Sequence, residues 1–318
     1  MEKHIKLFTD KDLDGVGCAI LANLAFGGRV DIEYRRANEI NERMKEFLKS
    51  EVSNYRLVFI TDLSVNEENA ETIDKCIDFK KSALFLFDHH KSALWLTKYK
   101  WCMVEVETAG ELTSGTMLFF DYLCYLGLFP KGPFYNKQKY VKSIFEFATI
   151  VRKYDTWLWK NKYNDHTPEM WNNLLYIYGR DKFIELTLDK IYTNKVTFSY
   201  TDIIMLEAEA RNKNEYIKSK LEEVVKKDVL GYKAGIVFAE RYSSMLGNSI
   251  CEENKDIDFA VIVNMPNSVS YRATKEEIDV SKIAVSFKGG GHAKAAGNPI
   301  KKEVAENLIK DIFSKEEI

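Results

Sequence analysis

Three short apolar runs in the first ninety residues, IKLFT at 5–9, LVFIT at 57–61 and ALFLF at 83–87, each lead into acidic residues. The first runs into Asp10, Asp12 and Asp14 within TDKDLDG, the second into Asp62 within ITDLS, and the third into Asp88, His89 and His90. Carboxylates packed together repel one another and resist ionising, and divalent cations relieve that repulsion. Oxygen donors mixed with imidazole suit Mn²⁺, with Mg²⁺, Fe²⁺ and Co²⁺ less favoured. Two such ions about 3.5–4 Å apart form a clamp for phosphoryl hydrolysis, which makes hydroxide from water and stabilises charge on the phosphorus oxygens. A single Asp after a strand is commonly a helix cap or a turn residue. Three acid-bearing strand ends with paired histidines point instead to a shared site. Asp14-Gly15 before an apolar helix also suits an anion-friendly helix N-terminus.

A second constellation lies near the C-terminus: Gly289-Gly290-Gly291-His292-Ala293-Lys294-Ala295-Ala296-Gly297. Three consecutive glycines let backbone N–H groups approach a phosphate or a base edge, and His292 and Lys294 add cationic donors. Arg272, in the strand-like SVSYRAT, is a candidate phosphate fork. Taken alone, a glycine run is more often a flexible loop and a lone strand Arg more often a surface residue. Both gain weight only if they face the acidic cluster.

The elements needed to position these residues are legible as patterns. A helix-like stretch at 16–26, a further strand near 30–34 and an amphipathic helix at 38–49 separate the first two acid-tipped strands, and a helix at 66–78 separates the last two. Strands alternating with helical crossovers predict a parallel sheet with helices on its faces. The carboxyl ends of its strands share one edge, where ligands bind. Residues 110–127 read as an apolar helix, followed by a loop at Pro130–Pro133. Helices are predicted at 139–155, 168–191 and 201–227, the last charge-laced and read as a solvated connecting helix. Beyond Gly231 strand-like runs at 234–239, 259–264 and 268–274 alternate with helices at 244–253, 279–287 and 302–314. The expected fold is α/β: a catalytic domain at 1–195, a linker helix at 196–230 and a smaller α/β domain at 231–318.

Composition narrows the function. Lys and Arg total 46 against 48 Asp and Glu, a net charge of -2, so bulk charge does not suit the chain to gripping long nucleic acid. A short phosphorylated ligand held by a few placed cations is compatible with it. No apolar run reaches the roughly 18–20 residues of a membrane helix, and MEKHIKLFTD lacks the apolar core of a secretory leader. The five cysteines, Cys18, Cys76, Cys102, Cys124 and Cys251, form no C-x-x-C pair, which argues against a disulfide framework or a thiolate zinc site. The expected compartment is the cytoplasm. The aromatic crowd Tyr154, Trp157, Trp159, Trp171, Tyr176 and Tyr178 reads as helical core packing in preference to base stacking.

Together these residues resemble the DHH family of phosphoesterases. Asp88-His89-His90 match the name-giving motif, TDKDLDGVG the first motif and ITDLS the second. VRKYDTW puts Asp155 at the last metal-binding aspartate, GGGHAKAAG matches the signature of the DHH-associated C-terminal domain, and SVSYRAT matches the strand before it. The resemblance implies a two-metal centre, usually two Mn²⁺ with Mg²⁺ or Co²⁺ as alternatives, and a substrate cleft between two domains. It carries metal-ligand roles to Asp12, Asp14, Asp62, His89 and Asp155, with Asp62 the bridging ligand. His90 falls nearer the scissile phosphate, with Asp62 and His90 as the catalytic pair. Arg272, Gly289, Gly290, Gly291 and His292 fall at substrate-holding positions. Asp155 rests on the resemblance alone, since it sits in a helix-like aromatic segment. One departure stands out: the first motif usually opens with His where this chain has Asp10. An aspartate can bind the same metal, trading nitrogen for oxygen, and His4 is too far upstream to replace it.

The compact type of this family and length resembles nanoRNases, or oligoribonucleases, which trim oligonucleotides of a few residues to mononucleotides. The expected partner is a short single-stranded oligonucleotide or a dinucleotide, with no membrane and no long duplex, and a homodimer is allowed. Alternatives are a cyclic dinucleotide phosphodiesterase, an adenosine bisphosphate phosphatase, a RecJ-like single-strand exonuclease, and a non-catalytic nucleotide-binding protein whose metal site degenerated through Asp10.

Overall fold

Short, nearly continuous apolar runs, buried on both faces, build the first sheet. The computed structural model describes residues 5–76, 83–129 and 137–314; His4, the end of the predicted 66–78 helix and the loop predicted at Pro130–Pro133 lie outside the described residues. In chain order the first unit contains β1 (Ile5–Thr9), α1 (Leu13–Phe26), β2 (Val30–Tyr34), α2 (Ile40–Ser50), β3 (Leu57–Thr61), α3 (Glu67–Cys76), β4 (Ala83–Asp88) and β5 (Cys102–Val104). A small hairpin, β6 (Glu107–Thr108) and β7 (Glu111–Leu112), precedes α4 (Gly115–Tyr125), α5 (Lys137–Asp155), α6 (Thr167–Tyr178) and α7 (Arg180–Tyr192), and α8 (Tyr200–Glu222) runs on into the second unit. Five parallel strands form one sheet in the order β2-β1-β3-β4-β5. Leu7, Phe59 and Phe87 pack on one face against α1, α4, α5 and α7. Phe8, Val58, Ile60, Leu84 and Leu86 pack on the other against α2 and α3. Helices cover both faces, as the βα alternation predicts.

The second unit adds β8 (Val225–Val229), β9 (Tyr232–Phe238), α9 (Ser243–Glu253), β10 (Phe259–Asn264), β11 (Ser268–Arg272), α10 (Val280–Ser286), β12 (Gly290–His292), β13 (Ala295–Pro299) and α11 (Lys302–Phe313). Its six strands run in the order β12-β13-β11-β10-β9-β8, with β9 and β10 parallel and the other pairs antiparallel. One face packs on α10 and the other on α9. The compact units are Met1–Leu206 and Glu207–Ile318. No helix among the described residues is long and apolar enough to cross a membrane.

Several boundaries differ from the sequence pattern. The predicted 168–191 helix is two helices, broken at Gly179, which takes φ 73°, a conformation glycine adopts without steric cost. The predicted 110–127 helix starts at Gly115 because Ser114 caps it, its Oγ accepting from Met117 N at 3.3 Å; the residues before it form the hairpin. The predicted 201–227 helix ends at Glu222, and Val225–Val229 is the edge strand β8. Strands β5 and β13 also escaped the pattern.

A partly buried ion network ties β1, β2 and α2 together. Lys6 Nζ lies 2.7 Å from Glu33 Oε2, and Arg43 Nε lies 2.6 Å from Glu33 Oε1. Burial alone would raise the Glu33 carboxyl, but Arg43 and Lys6 outweigh it and hold its pKa down to about 2 from 4.5. A carboxyl lowered on folding stabilises the native state above the unfolded pKa, and that contribution fades as pH falls from about 4.5 towards 2. Discounted for solvent screening, the shift corresponds to about 2 kcal/mol. Glu33→Gln is expected to remove about that much at neutral pH and to flatten the loss of stability below pH 4.5, measured by urea unfolding across pH.

Candidate metal centre and glycine strand

The acidic residues gather because two helix N-termini meet at one carboxylate. Asp12 caps α1, its Oδ1 accepting from Asp14 N at 3.1 Å and Gly15 N at 3.0 Å. Asp14, buried in the first turn, accepts from Gly115 N at 2.7 Å and Thr116 N at 2.9 Å, the first amides of α4. Thr116 Oγ1 in turn donates to Asp14 O at 2.7 Å. The positive ends of both helices thus face the cluster. Only a glycine fits at 115: an added Cβ would stand 2.9 Å from Asp62 Cβ and 3.1 Å from Asp14 Oδ2.

Asp62 follows β3 in the left-handed region at φ 54°, its N–H donating to Phe87 O at 2.9 Å. Asp88 ends β4, fully buried. Its Oδ1 accepts from His89 N at 2.8 Å and pairs with His90 Nδ1 at 2.7 Å, while Ser64 Oγ donates closely to Oδ2. Asp88 therefore sets the orientation of His90. His89 is turned the other way. Its Nε2 lies 3.3 Å from Asp155 Oδ2, 3.4 Å from Asp62 Oδ1 and 3.7 Å from Asp14 Oδ2. That buried nitrogen makes no hydrogen bond.

Among the described residues, ligand atoms of Asp14, His89 and Asp155 lie within 4.8 Å of one another, as do those of Asp62, Asp88, His89 and His90. Asp10 and Asp12 fall outside both groups. Asp10 Oδ1 accepts from Lys11 N at 2.5 Å, at the rim of the cluster.

The electrostatics are those of a crowded anion site. Burial and the Asp14 and Asp12 carboxylates raise Asp62 well above the usual range, and the same causes push Asp155 up to about 8. Desolvation and the charge of Asp14 raise Asp12 too. Burial would also raise Asp88, but hydrogen bonds from His90 and Ser64 prevail and lower it. The Asp88 bond lifts His90 to about 9, so its ring is cationic at neutral pH. Carboxyls that resist ionising beside an unpartnered imidazole nitrogen make a donor set that fits divalent cations.

In the second unit, the register aligns His292 with Ala295 and Ala295 with Arg272 across β12, β13 and β11. Directly opposed residues share a face, so Arg272 and His292 stand in one row. Arg272 is half-buried, its Nη2 donating to Ser244 Oγ at 2.7 Å. Ser268, Ser270, Arg272, Gly290, Gly291 and Gly297 help line a shallow cavity of about 450 Å³. The three glycines are not equivalent. A Cβ at Gly289 would meet Gly297 O at 2.1 Å and one at Gly291 would meet Ala296 Cα at 2.6 Å, whereas Gly290 has nothing within 4 Å. Two glycines are demanded by β13, and the open space lies at the third. Lys294 is not a free cation: its Nζ donates to the carbonyls of Lys275, Glu276 and Ile278 at 2.5, 2.8 and 2.9 Å.

Sequence reasoning did not assign roles to Ser64, Asp88 or the Ser114–Thr116 turn. The cap signature, Ser before an apolar helix, was readable at Ser114; the pairing of the Gly115 and Thr116 amides with Asp14, a hundred residues away, was not.

Carboxylates and histidines at parallel strand ends, with a separate unit bearing a glycine strand and an arginine, suit a phosphoesterase. Residues 236–316 match the DHHA1 domain family. Over 312 residues the chain is 37% identical to oligoribonuclease NrnB of Bacillus subtilis, covering 96% of this chain and 75% of that protein. The fold is shared with exonuclease RecJ bound to manganese, at TM-score 0.55 and 16% identity over 98% of this chain and 89% of that one. It is shared as well with the pGpG-specific phosphodiesterase PggH of Vibrio cholerae, at TM-score 0.50 and 12% identity over 98% and 97%. The chain belongs to the DHH family of phosphoesterases.

Proposed function

We propose that this hydrolase cuts short single-stranded oligonucleotides and dinucleotides to mononucleotides. The carrying observation is the buried, unpartnered His89 Nε2 set among Asp14, Asp62 and Asp155; the likeness to an oligoribonuclease over almost the whole chain supports the substrate class. Asp12, Asp14, Asp62, His89 and Asp155 would hold two divalent cations, Mn²⁺ by preference, with Asp10 at the rim. Bound there, the cations supply an activated water and neutralise charge on the phosphodiester. The protein's own groups do the rest. Asp88 keeps His90 cationic and oriented, so that His90 can give a proton to the leaving sugar oxygen. Arg272 and His292 hold a nucleotide by charge-assisted hydrogen bonds, with Gly290 leaving room for close approach. A cytoplasmic setting accords with free Cys18, Cys102, Cys124 and Cys251.

The test is a labelled RNA series of two to about twenty nucleotides with Mn²⁺. Mononucleotides are expected fastest from the shortest species. Equal or faster cleavage of the longest strands overturns the length preference, and hydrolysis confined to cyclic dinucleotides or adenosine bisphosphate reassigns the substrate.

Cation binding is expected to displace protons. With Asp155 raised to about 8, its carboxyl is largely protonated at pH 7 and must ionise to become a ligand. Apparent affinity should therefore rise with pH, about tenfold per unit for each proton displaced, up to about pH 8. Titration calorimetry in buffers of different ionisation enthalpy measures the protons released; a value of zero at pH 7 contradicts this assignment of Asp155.

A further inference from the structure

We infer that Trp157 is a stacking platform for a nucleobase of the substrate, an inference that rests on the phosphodiesterase reading above. Asp155 ends α5, and the chain then turns sharply: Trp157 N donates to Tyr154 O at 3.1 Å and Trp157 takes φ 59°. That left-handed conformation is unfavourable for a bulky side chain. Burial does not offset it, because Trp157 remains 57% exposed. Glycine would suit this backbone better, so the fold alone does not account for an indole here.

Its neighbours build a ladder of rings. Trp157 stacks on Trp159 at 6.0 Å between centroids and 25° between planes, and Trp159 stacks on Tyr154 at 6.4 Å and 13°. Trp159 is buried and also meets His166 edge-on at 5.2 Å. The ladder is thus anchored in the core at its inner end and open at Trp157. Its Tyr154 member immediately precedes Asp155 at the end of α5, so the ladder and the carboxylate share one helix end. Trp157 lies two positions after Asp155, at most about 7.6 Å between Cα atoms. Lys160 Nζ sits 5.9 Å from the Trp157 ring centre. An exposed indole next to an ammonium, a short step from groups suited to a phosphodiester, matches the way single strands are held: bases on aromatic faces, backbone on cations. Stacking tolerates any base, as a length-selective trimming enzyme requires.

Two variants separate binding from folding. Trp157→Gly fits the left-handed backbone and is expected to melt no lower than the parent, while Trp157→Phe keeps a ring. The substrate is a 5′-phosphorylated adenylyl dinucleotide, with an abasic analogue as comparison. Trp157→Gly is expected to raise KM for the dinucleotide about tenfold, the scale of one base–aromatic stack, with little change in kcat. Trp157→Phe should restore most of the difference, and both variants should treat the abasic analogue as the parent does. An unchanged KM for the dinucleotide in Trp157→Gly, or an equal rise for the abasic analogue, overturns the proposal. Hydrolysis of neither compound by the parent would instead fail the phosphodiesterase reading. The stack is then read with Ca²⁺ present by tryptophan emission: quenching by the dinucleotide in the parent, absent in Trp157→Phe, supports it. Equal quenching in both, or none in the parent, overturns it.

Discussion

Asp62→Asn is expected to lower kcat/KM for a short RNA by at least about a thousandfold, about 4 kcal/mol of transition-state stabilisation, with the fold intact. Asp62 Oδ1 lies 3.4 Å from His89 Nε2, and Asp62 packs against Gly115 at the start of α4, as Asp14 does. Asparagine is the informative replacement. It keeps the volume, and like aspartate it tolerates the left-handed φ of 54°, where alanine would add strain. It also removes a carboxyl that burial and like charge already disfavour, so the metal-free protein should melt at the same temperature or higher. Activity and cation affinity fall together in this account. Full activity in both Asp62→Asn and His89→Ala would refute the site.

Gly15→Ala has the second largest expected effect, through backbone alone. A Cβ at Gly15 would stand 2.2 Å from the Asp10 carbonyl oxygen and 2.7 Å from Asp10 Cα. No rotamer change relieves a contact with main chain, so either the 10–12 turn or the start of α1 must move. Both carry site residues. The displacement would also pull on a buried chain of hydroxyls, in which Thr61 Oγ1 donates to Thr9 Oγ1 at 2.9 Å and Thr9 Oγ1 donates to Gly15 O at 2.9 Å. Overpacking of this kind costs up to about 3 kcal/mol, and a misplacement of about 1 Å at a site costs about a hundredfold in rate. Gly28→Ala, with nothing within 4 Å of the added methyl, is the control and should change stability by less than about 0.5 kcal/mol. Thermal melts and kcat/KM of the pair check both statements; a Gly15→Ala protein as active as Gly28→Ala would contradict them.

The strands that carry the acids were legible because buried parallel strands are continuous apolar runs, and IKLFT, LVFIT and ALFLF are such runs. The strands that were missed lack that signal. Val225–Val229, VKKDV, lies at the edge of its sheet and carries exposed lysines, a usual protection of an edge. Ala295–Pro299, AAGNP, has little strand preference of its own and is ordered by pairing with β11 and β12. The aromatic segment divided in a way no periodicity could reveal: Trp171 and Trp159 are core, while Trp157 and Tyr176 are exposed.

Residue types and their order along the chain were enough for the chemistry: acids at successive strand ends, paired histidines, then a glycine run with histidine, each tied to its neighbours by local rules of strand, cap and turn. Tertiary structure decided how those groups are partitioned. It turned His89 towards Asp155, Asp62 and Asp14 while Asp88 claimed His90, left Asp10 at the rim, and used two of three glycines for strand packing. It also spent Lys294 on three carbonyls. Those outcomes depend on contacts between residues far apart in sequence, where helix N-termini, buried charge and close packing act through space, and no local pattern records them.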